Sequence, residues 1–480
     1  MNFLKQNKVL LIIAIIFGTI FSLISLVNHY NFRTYALDLG LFNNALYDYI
    51  HFQFNDSGVF KEVYENLLAD HFDMYLLLFS PFSLLFGTYT LLIIQILALL
   101  FGGIGVYFCF VKNKKVAIFA SLYFFLFFGV YGALSFDYHS NVVAASLVPW
   151  LFYSIQNKKL LTASILLLAL VISKENISFW IAFVCIGLSI EYRNVKNLRN
   201  YLILSALFCA VYFFTITSFV MPSLSSDGVY PHFDYSYLGN NFSEAFKKLI
   251  FNPIESIKVM FINHNKNELG DFVKAEAILT LLFSGILFLI KKPQYLLMLL
   301  PIFFQKFFHD NSSIWSIGGQ YNIEFAPIFA IGIFKVIQEF KSDKWVKILS
   351  FIVLFFTAVS TYRTMDKTIC HTNKENYRFY KQSHYSRNFN VKNVHKQISN
   401  LPKSAVLSVQ SPLLPHLALR ESIYQFPIIK NAEYVVYVEN ENTYPLSGDD
   451  FHSKILELKQ SGEWEEKYNK ELIILKKVKR

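Results

Sequence analysis

The chain opens on an uninterrupted apolar run. Residues 9–27 read VLLIIAIIFGTIFSLISLV, and a helix of that length, at ~1.5 Å per residue, covers the roughly 30 Å hydrocarbon core of a bilayer. The run exceeds the ~7–15 residues of a secretory signal, and Asn28-His29-Tyr30 follows it instead of a small-residue cleavage site, so the pattern predicts an uncleaved anchor. Further apolar runs lie at 88–111, 116–132, 141–155, 160–173, 176–190, 201–220, 273–290, 295–308, 321–338 and 346–362. Together they predict an all-α polytopic membrane bundle of about eleven transmembrane helices. The 160–173 and 176–190 runs are shorter than the ~17 residues of a perpendicular span, so they call for extension, tilt or a thinned bilayer. Residues 74–87 are apolar but carry Ser80-Pro81, which predicts a partly inserted, re-entrant segment shielded from lipid by protein.

After about Asn390 the rhythm changes to short alternating elements. Residues 391–401 pattern as a helix, 405–409 as a strand, 412–419 as a short helix, 434–438 as a buried strand, 450–460 as a helix stopped by Gly462, and 472–478 as a last strand. Residues 1–362 therefore form the membrane domain and 363–480 a small α/β domain. Asp449-Asp450 reads as an N-cap, with a metal role as the alternative.

Charge sets the orientation. Lys5/Lys8, Lys112/Lys114/Lys115, Lys158/Lys159, Arg193/Lys196/Arg199, Lys291/Lys292 and Lys341/Lys344/Lys347 fall on one side, and the opposite short loops, 133–140 and 309–320, hold no lysine or arginine. By the positive-inside rule the N-terminus is cytoplasmic. An odd number of spans then puts loops 29–73 and 221–272 and the α/β tail outside, at a bacterial plasma (inner) membrane. Composition agrees: only 16% of residues are charged, 54% are hydrophobic and mean hydropathy is +0.37, which excludes an ordinary soluble enzyme or a disordered chain. The net charge of +10 reflects topology, and no basic strip suggests nucleic acid. Cys109, Cys185 and Cys209 lie in apolar runs, leaving Cys370 alone, so no disulfide framework or cysteine metal site is expected.

Candidate chemistry lies at the outer edge, where charges beside hydrocarbon usually line a cavity or pathway. Loop 29–73 holds Asp38, Asp48, Asp56, Glu62, Glu65, Asp70 and Asp73 against Arg33 and Lys61. Asp38 adjoins a stripe of Leu37, Leu41, Phe42 and Leu46 that suits a helix lying along the membrane interface. Its carboxylate is a candidate general base, or a helix cap. Asp70-His71-Phe72-Asp73 offers oxygen and nitrogen donors for Mg²⁺ or Mn²⁺, or is a solvated turn. Asp137 and His139 sit in a very short outer loop, as a phosphate contact or as buried hydrogen-bonding groups. Lys174 is a candidate point-charge clamp on phosphate, or an internal partner of Glu175. Gln320-Tyr321 ends the last outer loop. Walker A, His-Glu-x-x-His and Gly-x-Ser-x-Gly patterns are absent, and Gly102-Gly103-Ile-Gly105 inside an apolar run reads as close helix packing.

These residues resemble a known family. Asp38-Leu-Gly-Leu-Phe-Asn-Asn-Ala-Leu, His71-Phe ahead of a Pro81-containing run, Phe136-Asp-Tyr-His139, Lys174-Glu175, Gln320-Tyr321 with Pro327, and the tail segments 404–420 and 424–427 stand in the order of the predicted membrane proteins of domain of unknown function 2079. Asp73-Met74, Ser140 and Gln320 depart from that family's usual Ser-Pro, Pro and His. The resemblance implies a GT-C glycosyltransferase-like protein that takes a sugar from a polyprenyl-phosphate donor on the outer face and passes it to a glycan, lipid or protein acceptor. It makes Asp38 the counterpart of the acid in the first outer loop of such enzymes, and puts His71, Asp137, His139, Lys174 and Glu175 on recurring positions. The expected reaction is inverting transfer. Asp38, Asp70 and His71 would be catalytic, with Asp70 and His71 also the ligands of any metal. Asp137, His139, Lys174, Glu175, Gln320 and Tyr321 would hold the lipid phosphate. A transporter or lipid-carrier flippase is the alternative, and a silent scaffold is a third reading.

Overall fold

The computed structural model describes residues 7–478 apart from 267, 269, 371, 372 and 470, so Lys5 lies outside the described residues. The chain is mostly helical. Helices of seven or more residues are α1 Lys8–Tyr30, α2 Leu41–Ile50, α3 Thr90–Cys109, α4 Lys114–Leu126, α5 Phe128–Leu134, α6 Ser140–Gln156, α7 Leu160–Val171, α8 Glu175–Glu191 and α9 Lys196–Thr215. They continue with α10 Phe242–Phe251, α11 Pro253–Val259, α12 Phe272–Phe283, α13 Pro293–Phe307, α14 Phe325–Ile337, α15 Asp343–Asp366, α16 Val391–Ile398 and α17 Gly448–Gln460.

Four helical stretches are long and apolar enough to cross a membrane: α1, residues 75–109 ending in α3, α9 prolonged to Leu224, and α15. The pair α4 and α5, bent by 43°, raises the number to five. This is fewer than the eleven expected, and the differences have local causes. The 116–132 run breaks at Phe127, whose extended backbone separates α4 from α5. The 273–290 run leaves α12 at Gly285, which adopts φ 100° and starts a 3₁₀ turn. Helix α14 is apolar all round but only 13 residues long and buried along its length, and an apolar sequence looks alike whether protein or lipid covers it. Residues 75–89 form short helical turns broken at Gly87, which adopts φ 56°, and the chain bends there far enough for Thr90 Oγ1 to donate to Phe82 O (3.3 Å). Met74 N–H donates to Ile172 O (3.1 Å) before the segment and Asn43 Nδ2 donates to Thr88 O (3.1 Å) after it, so it starts and ends beside the same loops, as a re-entrant segment does. Pro81 falls in the first positions of a 3₁₀ turn, where its missing N–H costs little. The glycines of α3 are packing sites as expected: a Cβ on Gly103 would lie 2.2 Å from the Phe125 ring.

The tail holds one sheet of β1 Leu407–Val409, β2 Ile423–Gln425, β3 Tyr434–Val438, β4 Trp464–Asn469 and β5 Leu472–Lys477, in the order β2-β1-β3-β5-β4. Strand β1 runs parallel to β2 and β3, whereas β5 is antiparallel to β3 and β4. Helix α17 covers one face through Phe451 and Ile455. It is capped by Ser447, whose hydroxyl accepts from Asp450 N–H; Asp449 and Asp450 occupy the first turn instead of the cap, where negative charge suits the helix dipole. Gly462, at φ 70°, follows its end.

The opposite face of the sheet packs with loop 29–73. Leu41, Phe42 and Leu46 are buried in one core with Leu407, Val409 and Leu414, so the stripe expected along the membrane interface faces the tail. A helical apolar stripe specifies that something covers it, not what. The approach is close: a Cβ on Gly40 would lie 2.5 Å from Leu414 Cδ2. Asn44 Nδ2 donates to Ala418 O (3.2 Å) and Arg420 O (2.8 Å), and Asn43 Nδ2 to Pro415 O (3.1 Å). Arg33, 1% exposed, donates to the carbonyls of His384 (2.5 Å), Ser383 (3.0 Å) and Ser386 (2.9 Å). Arg33→Met leaves these carbonyls without that donor, and should cost about 3 kcal/mol. Thermal unfolding in detergent, with limited proteolysis of residues 367–390, should register a lower midpoint and faster cleavage.

Candidate functional site

Loop 29–73 enters the site through an irregular turn. After α1 the backbone reverses with Phe32 at φ 54°, and residues 36–40 form one π-helical turn carrying Asp38. Such turns often accompany functional sites. Asp137, from the loop between α5 and α6, holds this turn in place: its Oδ2 accepts the N–H groups of Tyr35 (2.9 Å) and Leu39 (3.4 Å). Gln95 of α3 fixes the same short loop by accepting from His139 N–H (2.9 Å) and donating to Asp137 O (3.4 Å). His139 Nε2 then lies 3.4 Å from Asp38 Oδ1 and 3.0 Å from the Gln320 amide nitrogen, and Tyr321 stands within electrostatic reach of Asp38. Asp38 is half-buried, whereas Asp137 is fully enclosed. Burial, reinforced by the neighbouring Asp38 charge, pushes the Asp137 carboxyl well above the usual carboxylate range.

A second group lies on the adjoining loops. His71 Nδ1–H donates to Glu175 Oε1 (3.2 Å), and the Lys174 ammonium donates to His71 Nε2 (3.1 Å). These partners select the neutral Nδ1–H tautomer. Glu175 Oε2 also accepts Phe72 N–H (3.1 Å). His232, from loop 221–272, stacks on His71 with centroids 4.1 Å apart and places Nε2 3.2 Å from Asp70 Oδ1. Burial and then the Lys174 charge lower the His71 pKa. Burial opposes protonation of His232 as well, but its bond to Asp70 outweighs it and raises the pKa. Burial likewise works to raise the Asp70 carboxyl, yet His71, His232 and Lys174 together hold it below the usual range.

The segment 139–141 joins the two groups. Ser140 hydrogen-bonds Asp73, and Asn141 Nδ2 donates to Glu324 Oε1 (2.8 Å), itself within electrostatic reach of Lys174. Tyr138 Oη and Asn141 Oδ1 are buried here without a hydrogen-bond partner, a costly arrangement that calls for a reason. Asp38, Asp137, His139, Gln320 and Tyr321 thus stand in one group and Asp70, His71, Lys174 and Glu175 in the other. Lys174 and Glu175 do not form a simple pair: both bind His71. Sequence reasoning missed Gln95, His232 and Glu324. Gln95 is the one amide in its apolar run and Glu324 follows Gln320-Tyr321 closely, so both had a local signal. His232 is a lone imidazole in a long loop, and only the fold brings it to Asp70.

Asp73 gives a pH test of this junction. Burial raises its carboxyl to about 7, whereas an unfolded Asp ionises near 3.9. Between those values the folded state holds a proton that the unfolded state releases, so stability falls as pH rises from about 4 to 7. Asp73→Asn should remove this slope, so its stability relative to the parent grows progressively between pH 5 and pH 8 by on the order of 2–4 kcal/mol, read as a widening difference in thermal midpoint. A midpoint difference that stays constant across this range would reject the assignment.

No curated protein and no solved structure matches the chain. The model of one family, described as predicted membrane protein (DUF2079), matches residues 28–473, which include every site residue above. With that coverage, and with four or five helical stretches able to cross a bilayer, the chain belongs to the DUF2079 family of membrane proteins.

Proposed function

We propose that this protein is a GT-C-like membrane glycosyltransferase that moves a sugar from a polyprenyl-phosphate donor to a glycan, lipid or protein acceptor on the outer face of the plasma membrane. The observation that carries this reading is the position of Asp38: a half-buried carboxylate on a π turn, 3.4 Å from His139 Nε2, in a polar site continuous with Lys174. A base needs access to an acceptor hydroxyl, and a departing phosphate needs fixed positive charge; the two groups supply these side by side. The lysine clusters support an N-terminus in the cytoplasm and a tail outside. The segment 75–87, entered beside Ile172 and left beside Asn43, keeps that parity.

In the reaction, Asp38 takes the proton of the acceptor hydroxyl as its oxygen bonds the anomeric carbon and the bond from that carbon to the phosphate oxygen breaks. The configuration inverts and the lipid phosphate leaves with the electron pair. Lys174, directed by the Glu175–His71 pair, and His139 stabilise the developing charge. Asp137 works through the backbone by setting the Asp38 turn, so it is a positioning residue.

Asp70, His71 and His232 offer donor atoms within 4.8 Å of one another. One carboxylate and two imidazoles suit Mn²⁺ better than Mg²⁺, which prefers oxygen. Both His71 nitrogens are already engaged and its ring is stacked on His232, so a metal would have to displace Lys174 or Glu175 and separate the rings. No step is routed through a metal for that reason.

In proteoliposomes supplied with a synthetic polyprenyl-phosphate sugar and a mixed acceptor pool, Asp38→Asn should reduce kcat by about 10²-fold or more with little effect on donor binding. Lys174→Met should weaken both. Undiminished transfer by Asp38→Asn would remove Asp38 from the chemistry, and sugar uptake into sealed vesicles without a new glycosidic bond would favour the carrier.

A further inference from the structure

The stripe beside Asp38 is covered by the tail, yet a different outer element leaves an apolar face uncovered. Helices α10 and α11 form a hairpin in loop 221–272. Phe246, Ile250, Ile254, Ile257 and Phe261 are exposed on it, with Phe246 at 66% and Ile254 at 70%. Its inner side packs Ala245 and Val259 with Leu238 and Phe308, so the hairpin is apolar on two sides. Exposed patches of this kind mark a contact surface.

The hairpin's position identifies what covers it. Phe242, the first residue of α10, sets its ring 5.5 Å from Phe213 and 6.3 Å from Phe214 of α9. Helical turns carry α9 on to Leu224, so this contact lies about ten residues, or roughly 15 Å, short of that end. Loop 225–241 therefore leaves the end of the span and the chain returns alongside it. The hairpin begins beside Phe214 of α9, which is itself exposed, as are Val211 and Leu207 in the two preceding turns. Phe242 also meets Phe233 (4.9 Å) and Tyr230 (6.2 Å), which flank His232.

We propose that α10–α11 is seated among the acyl chains of the leaflet into which α9 ends, as a lipid-anchored hairpin whose connecting loop delivers His232 to Asp70. The inference goes beyond the transfer reaction and stands without it.

Nitroxide labels on single introduced cysteines test it in the full-length protein, in phosphatidylcholine vesicles, since all four native cysteines are buried. Phe246→Cys and Ile254→Cys are compared with Leu207→Cys on the span and Glu457→Cys on α17. Collision with oxygen and with a water-soluble nickel chelate is measured by power saturation. The hairpin labels should follow Leu207→Cys, with an oxygen-to-nickel ratio several-fold above that of Glu457→Cys. Ratios equal to those of Glu457→Cys place the hairpin in water and overturn the proposal. Labels closed to both reagents mean that protein covers the face, which overturns it too.

Discussion

A buried carboxylate aimed at two backbone N–H groups is the constraint on which the site depends. Asp137 is nearly inaccessible, and its oxygen ties Tyr35 and Leu39, on either side of Asp38, to the short loop between α5 and α6. Without this tie the π turn has few other reasons to face His139. The same loop is tied to α3 by both ends of the Gln95 amide, so the geometry passes from a membrane helix to the Asp38 backbone through two side chains. A group carried on a loop is positioned accurately only when rigid elements hold that loop.

Charge is balanced across the site, not concentrated. Lys174 and His232 face Asp70 and Glu175, with His71 bridging them. Such a set tolerates burial because every member has a partner. It also leaves polar valence for a ligand: Asp38 is half-exposed, and Tyr138 Oη and Asn141 Oδ1 lack partners.

Local patterning carried much of the fold and less of its partners. Residues 434–438 are the strand that alternation and β-branching suggest, and Gly462 follows α17 because a positive φ is needed there. Strand β2, only three residues long, has too little pattern to register. The stripe at Leu41, Phe42 and Leu46 was legible as a stripe, but its cover, the tail around Leu414, is some 370 residues away in sequence. The span count meets the same limit, since α14 is as apolar as a span while protein surrounds it. At the site, the expectation that Asp38, His71, His139 and Lys174 share one edge of the bundle came from charge and hydropathy, and the structure gathers them in two adjoining groups. The joining of Asp70 to His232 did not, because nothing within loop 221–272 encodes the return of that chain.

The distribution of charge bears on the choice between the proposed enzyme and a carrier. A carrier needs an ionisable or broken-helix site near the middle of the bilayer, reached alternately from both faces. Among the described residues, the acidic and basic side chains of α1–α9 and α12–α15 stand within the first or last five positions of their helices. The two lysines that sit furthest into apolar runs are occupied: Lys306 donates to Ile314 O (2.7 Å) and Ser316 O (2.6 Å), and Lys335 pairs with Glu191, which also accepts from Tyr295 (2.7 Å). Both tie helix ends to their surroundings. What remains available for chemistry lies at one end of the bundle, between the first loop, the tail and the hairpin loop. A site at one end can act on a headgroup held at the membrane surface, and the helix breaks at Phe127 and Gly285 carry no ionisable side chain of their own.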